Sequence, residues 1–177
     1  IMAVEGILDT HELRTRRMGP KILADVHIRV DPRITVSEGH RIGDEVISRL
    51  KNTFIELDDV VVHVDPEDDT ESLPTVFLPL RHVIEEKVSN CLSDLQIELG
   101  SRPSLRPLNL VLHYLNGKYH LEIWLAMPGN DSVESTQMLA QKVSQRVVSI
   151  QEVSNVRVLF TSDLSPHDRS HSDLRKT

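Results

Sequence analysis

Four histidines and one aspartate among the first 65 residues form a candidate set of metal ligands. The chain contains nine histidines, and His11, His27, His40 and His63 fall in this part, with Asp65 two residues after His63. Imidazole and carboxylate ligands together suit a borderline divalent ion such as zinc at four-coordinate geometry. The histidines are too far apart in sequence to form a local zinc motif. Spacing alone therefore leaves two interpretations open, a metal site or solvated surface residues.

Hydrophobic alternation predicts that three of these residues lie on the polar faces of strands. Every second residue from Ala24 to Val30 is apolar, so His27 lies on the opposite face. Residues 60–65 alternate in the same way, which puts His63 and Asp65 on one face of a second strand. Histidine and carboxylate side chains are thus expected on the side of each strand that faces away from the valines.

The two other histidines are predicted to lie on different elements. His11 lies on a first strand, over residues 6–17, which a Gly-Pro turn ends. His40 lies in the first turns of a helix that Thr35 or Ser37 can cap. The part before residue 66 therefore has the predicted order strand, strand, helix, strand.

A polar, acidic stretch between two prolines, residues 66–74, predicts a linker, and the same element order then recurs. The next helix is predicted from an apolar stripe that starts at Phe77 and Leu80 and ends before Gly100. Asn116-Gly117 is a strong hairpin signal. In the helix predicted over residues 131–150, Val133 is one of the residues expected to face inward. The remaining predicted elements are strands 108–115 and 118–127, helix 131–150 and strand 154–162.

This order predicts an α+β protein with two tandem αββαβ units of the ferredoxin-like or metallochaperone-like type, the first lacking its N-terminal helix. The predicted domains are residues 1–66 and 76–163, with a linker at 67–75 and a flexible tail at 164–177. The missing helix would come immediately before Ile1. We therefore expect the sequence to be a piece of a longer chain.

Four short motifs resemble one known family, the cytoplasmic C-terminal domain of cation diffusion facilitator transporters. The family pattern runs roughly H-[DE]-L-R-T-R-x-x-G, then a histidine in the next strand, a histidine early in the helix, and H-x-D-P at the end. The matching stretches occur here in the same order, over about residues 4–66. They are His11-Glu-Leu-Arg-Thr-Arg-Arg-Met-Gly-Pro20, Val26-His-Ile28, Ser37-Glu-Gly-His40 and Val61-Val-His-Val-Asp-Pro66.

The resemblance implies a set of metal ligands. Carried over position by position, these are His11, His27, His40, His63 and Asp65, and Asp65 is expected to bridge two ions. The metal implied is zinc, Zn²⁺, although Fe²⁺, Mn²⁺, Co²⁺ and Ni²⁺ accept the same ligand types.

The resemblance also implies a function and a set of partners. The chain would be the regulatory domain of a divalent-cation efflux transporter in which metal binding and homodimer formation favour transport. Its partners would be a second copy, divalent metal ions and the transmembrane domain of the same full-length chain. The implied location is the cytoplasmic side of a membrane, the bacterial inner membrane in the first instance.

Two arginines in the family's L-R-T-R stretch leave two interpretations open. Arg14 and Arg16 could orient acidic ligands or cross a dimer interface as charged hydrogen-bond donors. They could equally belong to a solvated strand face.

The second predicted unit repeats the element order without the ligands. Aligning Met127 with Val30 puts Trp124 at the position of His27, and aligning Asp163 with Asp65 puts Thr161 at the position of His63. We expect this unit to serve packing, dimer contacts or partner binding. The remaining histidines are expected to be surface residues; they are His82, His113, His120, His167 and His171. The alternative for His113 and His120, which lie across the Asn-Gly hairpin, is a weak metal site.

Composition and motifs exclude several functional classes. The net charge of −7 argues against nucleic-acid binding, and the single cysteine excludes disulfide frameworks and cysteine-based zinc cages. No catalytic pair or glycine-rich phosphate loop occurs, so the protein is not expected to be an enzyme. The alternative to metal regulation is a metal-independent oligomerisation or partner-binding module made of tandem ferredoxin-like domains.

Overall fold

The computed structural model describes residues 1–68, 72–100, 104–129 and 132–162. The chain divides into two compact units, which we call unit 1 (Ile1–Pro74) and unit 2 (Thr75–Thr177). The predicted tail, together with His167, His171 and Asp163, lies outside the described residues, as do residues 69–71 of the predicted linker.

Unit 1 contains three strands and one helix. Its elements are β1 (Ile7–Met18), β2 (Lys21–Val30), α1 (Val36–Thr53) and β3 (Leu57–Asp65). The sheet has the order β1-β2-β3, with β1 antiparallel to β2 and β2 parallel to β3. A tight turn suffices for the antiparallel pair, whereas the parallel pair needs a crossover, which α1 supplies.

Helix α1 packs on one face of this sheet. It begins after Thr35, whose side-chain hydroxyl accepts a hydrogen bond from the backbone N–H of Glu38. Gly39 allows the helix to lie close to β3, because a Cβ at this position would come within 3.3 Å of the Val64 side chain. The apolar faces of the helix and sheet form a small core, which consists of Val4, Val26, Ile28, Val30 and Val46. The other face of the sheet carries polar side chains from all three strands.

Unit 2 contains five elements around a larger core. They are α2 (Arg81–Glu98), β4 (Asn109–Leu115), β5 (Lys118–Ala126), α3 (Val133–Val148) and β6 (Val153–Thr161). The sheet order is β4-β5-β6, antiparallel and then parallel, as in unit 1. Every second residue of β5 is buried, and these residues pack with apolar residues of both helices.

Two details of the predicted helices in unit 2 are wrong. Helix α2 begins at Arg81, so Phe77 and Leu80 lie before it, and their side chains are 86% and 72% exposed. Pro79 explains the later start, because the residue before a proline is disfavoured in helical conformation. Val133 is the first residue of α3 and is exposed, whereas Leu139, Val143 and Val147 face the core.

The structure confirms the predicted fold class. The protein is α+β, with the order ββαβ in unit 1 and αββαβ in unit 2. Within the described ranges, no helix combines the length and apolar character needed to cross a membrane.

One ion pair makes the stability of unit 2 depend on pH. Lys87 Nζ donates a hydrogen bond to Glu152 Oε1 at 2.7 Å, and this bond lowers the pKa of the Glu152 carboxyl. Because the folded-state pKa is the lower one, the stabilisation is present above the unfolded-state pKa and is lost as pH falls through the folded-state pKa.

We expect Glu152→Gln to lower the free energy of unfolding by about 0.5 kcal/mol at neutral pH, the scale of a part-exposed ion pair. The difference from wild type should disappear in acid. Urea unfolding followed by Trp124 fluorescence measures the free energy of unfolding at neutral pH and in acid. Glu86→Gln, at an exposed position of the same helix as Lys87, is the control. If Glu152→Gln lowered the free energy of unfolding equally at both pH values, the expectation would be contradicted.

Candidate metal centre

Three of the candidate histidines lie in one row across the sheet of unit 1. His11 on β1 is the Cα partner of His27 on β2, and His27 is the Cα partner of His63 on β3. The ring centroids of His11 and His27 are 5.2 Å apart, and those of His27 and His63 are 4.3 Å apart in a stacked arrangement. The strand register therefore brings together residues that are 16 and 36 positions apart in sequence.

Asp65 extends from the end of β3 back towards this row. Its Oδ2 lies 2.8 Å from Nδ1 of His27 and 3.6 Å from Nε2 of His11. A carboxylate only accepts hydrogen bonds, so Nδ1 of His27 carries the proton in this contact. An ion bound through Nε2 of His27 would keep this hydrogen bond, whereas an ion bound through Nδ1 would replace it.

We call His11, His27 and Asp65 the His–Asp cluster. One possible ligand atom from each of the three residues lies within 4.8 Å of the other two. The side chains of His11 and Asp65 are 16% exposed and that of His27 is 24% exposed. The cluster is therefore largely buried, but an ion can reach it from solvent. Two imidazoles and a carboxylate match the ligand types of three-ligand zinc sites that keep a fourth position open.

A buried nitrogen without a partner supports the fit of an ion to the cluster. Nδ1 of His11 is buried and makes no hydrogen bond within the described part of the chain. Buried polar atoms are normally paired, and each exception requires an explanation. A cation bound at this nitrogen would supply the missing partner.

Glu12 is a further acidic group beside the cluster, and the sequence prediction of site residues omitted it. Its Oε2 lies 3.8 Å from Nε2 of His27 and accepts a hydrogen bond from Arg14 at 3.0 Å. Glu12 has a φ of +50°, and the pairing of β1 with β2 shifts register between His11 and Arg14. This irregularity changes the regular alternation of β1 and brings Glu12 near His27. The one signal in the sequence is its place next to His11 in the family motif.

The two remaining predicted ligands lie at different distances from the cluster. His63 stacks on His27 and is adjacent to the cluster without being a member of it. His40 is on α1, its side chain is 78% exposed, and its Nε2 lies 3.6 Å from Asp44. The structure therefore brings three of the five predicted residues together, places a fourth beside them and leaves His40 apart.

The two arginines of the family motif lie on the exposed part of β1. Arg14 contacts Glu12, and Arg16 lies 3.5 Å from Asp25, with both arginine side chains about 70% exposed. Arg14 thus holds an acidic group beside the cluster, whereas the ion pair of Arg16 lies further along the strands.

A sequence profile of one family matches residues 1–67, and its description is "Cation efflux protein, cytoplasmic domain". Residues 1–67 are similar to this family. The match covers the whole sheet, α1 and all five predicted ligands of unit 1, which confirms the resemblance to the cation diffusion facilitator domain.

Curated proteins with similar sequences carry related names. Metal tolerance protein C1 of Arabidopsis thaliana is 28% identical over 159 residues, which are 84% of this chain and 32% of that protein. Cation-efflux pump FieF of Pectobacterium atrosepticum is 36% identical over 61 residues, which are 34% of this chain and 20% of that protein. The chain thus spans a third or less of the length of these relatives.

Solved structures with some similarity include forms of MamM CTD. A nickel form is 27% identical and covers 38% of this chain and 85% of that chain, with a TM-score of 0.37. The 215–293 fragment is 29% identical and covers 37% of this chain and 84% of that chain, with a TM-score of 0.36.

Unit 2 has the same sheet topology as unit 1 but different residues at the ligand positions. Both parallel strand pairs have a register shift near their start, after Ile22 in unit 1 and after Tyr119 in unit 2. Matching these shifts puts Trp124 at the position of His27, as predicted from the sequence.

The strand pairing corrects the predicted counterpart of His63. Leu159 pairs with Trp124 as His63 pairs with His27, so Leu159 takes the position of His63 and Thr161 that of Asp65. The prediction that Thr161 occupies the position of His63 is therefore wrong by two residues. The sequence analysis extrapolated from Asp163, which lies beyond the last residue of β6.

Proposed function

We propose that residues 1–67 are the metal-binding regulatory domain of a divalent-cation efflux transporter. The His–Asp cluster, formed by three strands inside the segment that matches the family, is the observation that carries the proposal. His11, His27 and Asp65 would hold the ion, and one position would remain for water or a further ligand. The ion acts here as a bound signal, so the domain needs no catalytic group.

Zinc is the first candidate for this ion. Two imidazole nitrogens and one carboxylate oxygen form a mixed ligand set that zinc accepts at tetrahedral geometry. Fe²⁺, Mn²⁺, Co²⁺ and Ni²⁺ bind the same ligand types, so metal supply as well as affinity selects among them.

Neighbouring residues would adjust the site. Glu12 could give a carboxylate oxygen to the open position, because its distance of 3.8 Å from Nε2 of His27 suits a small movement around an ion. His63, stacked on His27, is proposed as a supporting or additional ligand. His40 lies on α1, which packs on the opposite face of the sheet, and its side chain contacts Asp44, so it stands apart from this proposed ligand set.

We further propose that metal binding promotes a homodimer on the cytoplasmic side of a membrane. The cluster lies on the sheet face opposite the small core, so bound charge would change the surface that a second copy could approach. Neutralising the acidic groups of this face lowers the repulsion between two copies of an acidic protein.

Calorimetric titration of zinc tests the proposal. The wild-type chain is expected to bind zinc, and the double variant His27→Ala, Asp65→Ala is expected to lose this binding. His82→Ala, at an exposed position of unit 2, is the matched control and should bind like wild type. Equal binding by wild type and the double variant would refute the site.

The alternative function, a metal-independent oligomerisation module, predicts a different result. Sedimentation in zinc and in chelator would then give the same oligomer for wild type and for the double variant. A zinc-dependent shift that the double variant lacks would support the regulatory domain instead.

A further inference from the structure

Unit 2 has its own row of possible metal ligands across its sheet. His113 on β4 is the Cα partner of His120 on β5, and His120 is the Cα partner of Asn155 on β6. The row therefore crosses all three strands, as the histidine row of unit 1 does. It lies at a different level of the sheet, because Trp124 rather than His120 takes the position of His27.

This row lies on the face of the sheet opposite the core of unit 2. Tyr119 and Leu121, the neighbours of His120, are buried in that core, so His120 lies on the other face of β5. His113 is directly opposite His120 on the antiparallel strand and shares its face. Both histidines are half-buried and Asn155 is exposed, so an ion can reach the row from solvent.

The two imidazoles are placed to bind one ion together. Directly opposite residues on one face of an antiparallel pair have Cβ atoms about 4.5–5.5 Å apart. A metal–nitrogen bond is about 2 Å long, so both rings can reach one ion between them. Next along this face, Glu122 is paired with Arg157 at 3.1 Å, and the pair adds no net charge beside the histidines. The amide oxygen of Asn155 and water are left as weaker ligands for the remaining positions.

Two imidazoles with weak oxygen ligands favour Ni²⁺ and Cu²⁺ over zinc. Imidazole suits both ions, and both accept tetragonal arrangements of nitrogen and oxygen ligands. Affinity for a given set of such ligands rises through the divalent series to Ni²⁺ and Cu²⁺ and falls again at Zn²⁺. Zinc takes three or four protein ligands, and among the described residues only the His–Asp cluster brings three together. Zinc concentrations that fill the cluster therefore leave most of the histidine pair empty.

We propose that His113 and His120 form a second, weaker metal site that takes Ni²⁺ or Cu²⁺. The ion binds both imidazoles and so connects β4 to β5 across the hairpin. The site goes beyond the proposed function, because it lies outside residues 1–67 and uses no residue of the His–Asp cluster. Its lower affinity means that it fills at higher metal concentrations than the cluster.

Quenching of tryptophan fluorescence tests this site. Trp124 is the single tryptophan of the chain and lies on the same strand face as His120, about 13 Å further along β5. Bound Ni²⁺ quenches a nearby indole, whereas bound Zn²⁺ does not. The titration uses Ni²⁺ alone and the double variant His27→Ala, Asp65→Ala, in which the His–Asp cluster has lost two of its three ligands.

We expect Ni²⁺ to quench Trp124 in this double variant and a chelator to restore the fluorescence. Adding His113→Gln or His120→Gln should raise the half-saturating Ni²⁺ concentration about a hundredfold, because the second imidazole otherwise binds as an intramolecular ligand. His82→Gln, which replaces an exposed histidine of α2 in the same unit, is the control and should leave the titration unchanged. If either substitution removed only half of the quenching, the histidines would bind separate ions, and the shared site would be refuted. Quenching that both substitutions leave intact would refute it as well.

Chemical modification of histidine gives a second measurement that needs no substitution in unit 2. Bound Ni²⁺ should protect His113 and His120 from carbethoxylation over the same concentration range, while His82 continues to react. Mass spectrometry of peptides measures the three residues separately, and a lack of protection at either member of the pair would overturn the site. This result is independent of zinc binding in unit 1, so failure of one proposal leaves the other standing.

Discussion

Zinc at one hundred times its dissociation constant is expected to stabilise unit 1 by about 2.7 kcal/mol. A ligand that binds only the folded state raises the free energy of unfolding by this amount, because the unfolded chain cannot hold His11, His27 and Asp65 together. Amide hydrogen exchange in β2, when it occurs through unfolding, should therefore slow about a hundredfold.

Mass spectrometry of peptides from the whole chain measures this effect. Peptides of β5 in unit 2 are the internal reference and should not change, since the described part of unit 2 contains no comparable cluster of possible ligands. Asp65→Ala should abolish the slowing, and a chelator should reverse it. Equal slowing in β2 and β5, or slowing that persists in Asp65→Ala, would show that zinc acts elsewhere.

Replacing Ile28 by alanine is expected to lower the free energy of unfolding of unit 1 by about 2–5 kcal/mol. The side chain of Ile28 is fully buried in the small core of unit 1, which it forms with Val4, Val26, Val30 and Val46. Unit 1 therefore has few apolar contacts that could compensate for the cavity. A loss of this size is a large fraction of the stability of a small domain.

Hydrogen exchange in β2 also measures this loss, with and without zinc. Ile55→Ala is the matched control, because Ile55 is 97% exposed and its replacement should change stability by less than about 0.5 kcal/mol. If Ile28→Ala lowered stability no more than Ile55→Ala, the apolar face of β2 would not be the core of unit 1. Because Ile28 is adjacent to His27, zinc affinity should fall together with stability.

The elements of unit 1 could be predicted from local patterns because their causes are local. The alternation of apolar and polar residues over 21–30 predicts a strand with one buried and one polar face. The structure shows these two faces in β2. Thr35 ends the extended chain and caps α1 as a helix-start signal predicts. The apolar spacing of Phe77 and Leu80 predicts an earlier start of α2 than the structure has, because this spacing takes no account of Pro79, which disfavours helical conformation at the residue before it.

The site was only partly predictable for a related reason. Periodicity assigns His27, His63 and Asp65 to polar faces, but it does not say which residues of neighbouring strands are opposite each other. A shift of register by two residues keeps every face and changes every partner, as the counterpart of His63 in unit 2 shows. The approach of Glu12 to His27 likewise depends on an irregularity in β1 that no alternation pattern contains.

The sequence by itself determined the order of the elements, the face of each strand and, through the family motifs, the kinds of ligand. Only the tertiary structure decided which side chains meet: His11, His27 and Asp65 in one cluster, Glu12 beside His27, and His40 apart from the cluster. The physical reason is the range of the interactions. Side-chain alternation and helix capping act within a few residues, whereas strand register is fixed by hydrogen bonds between segments that lie far apart in the chain.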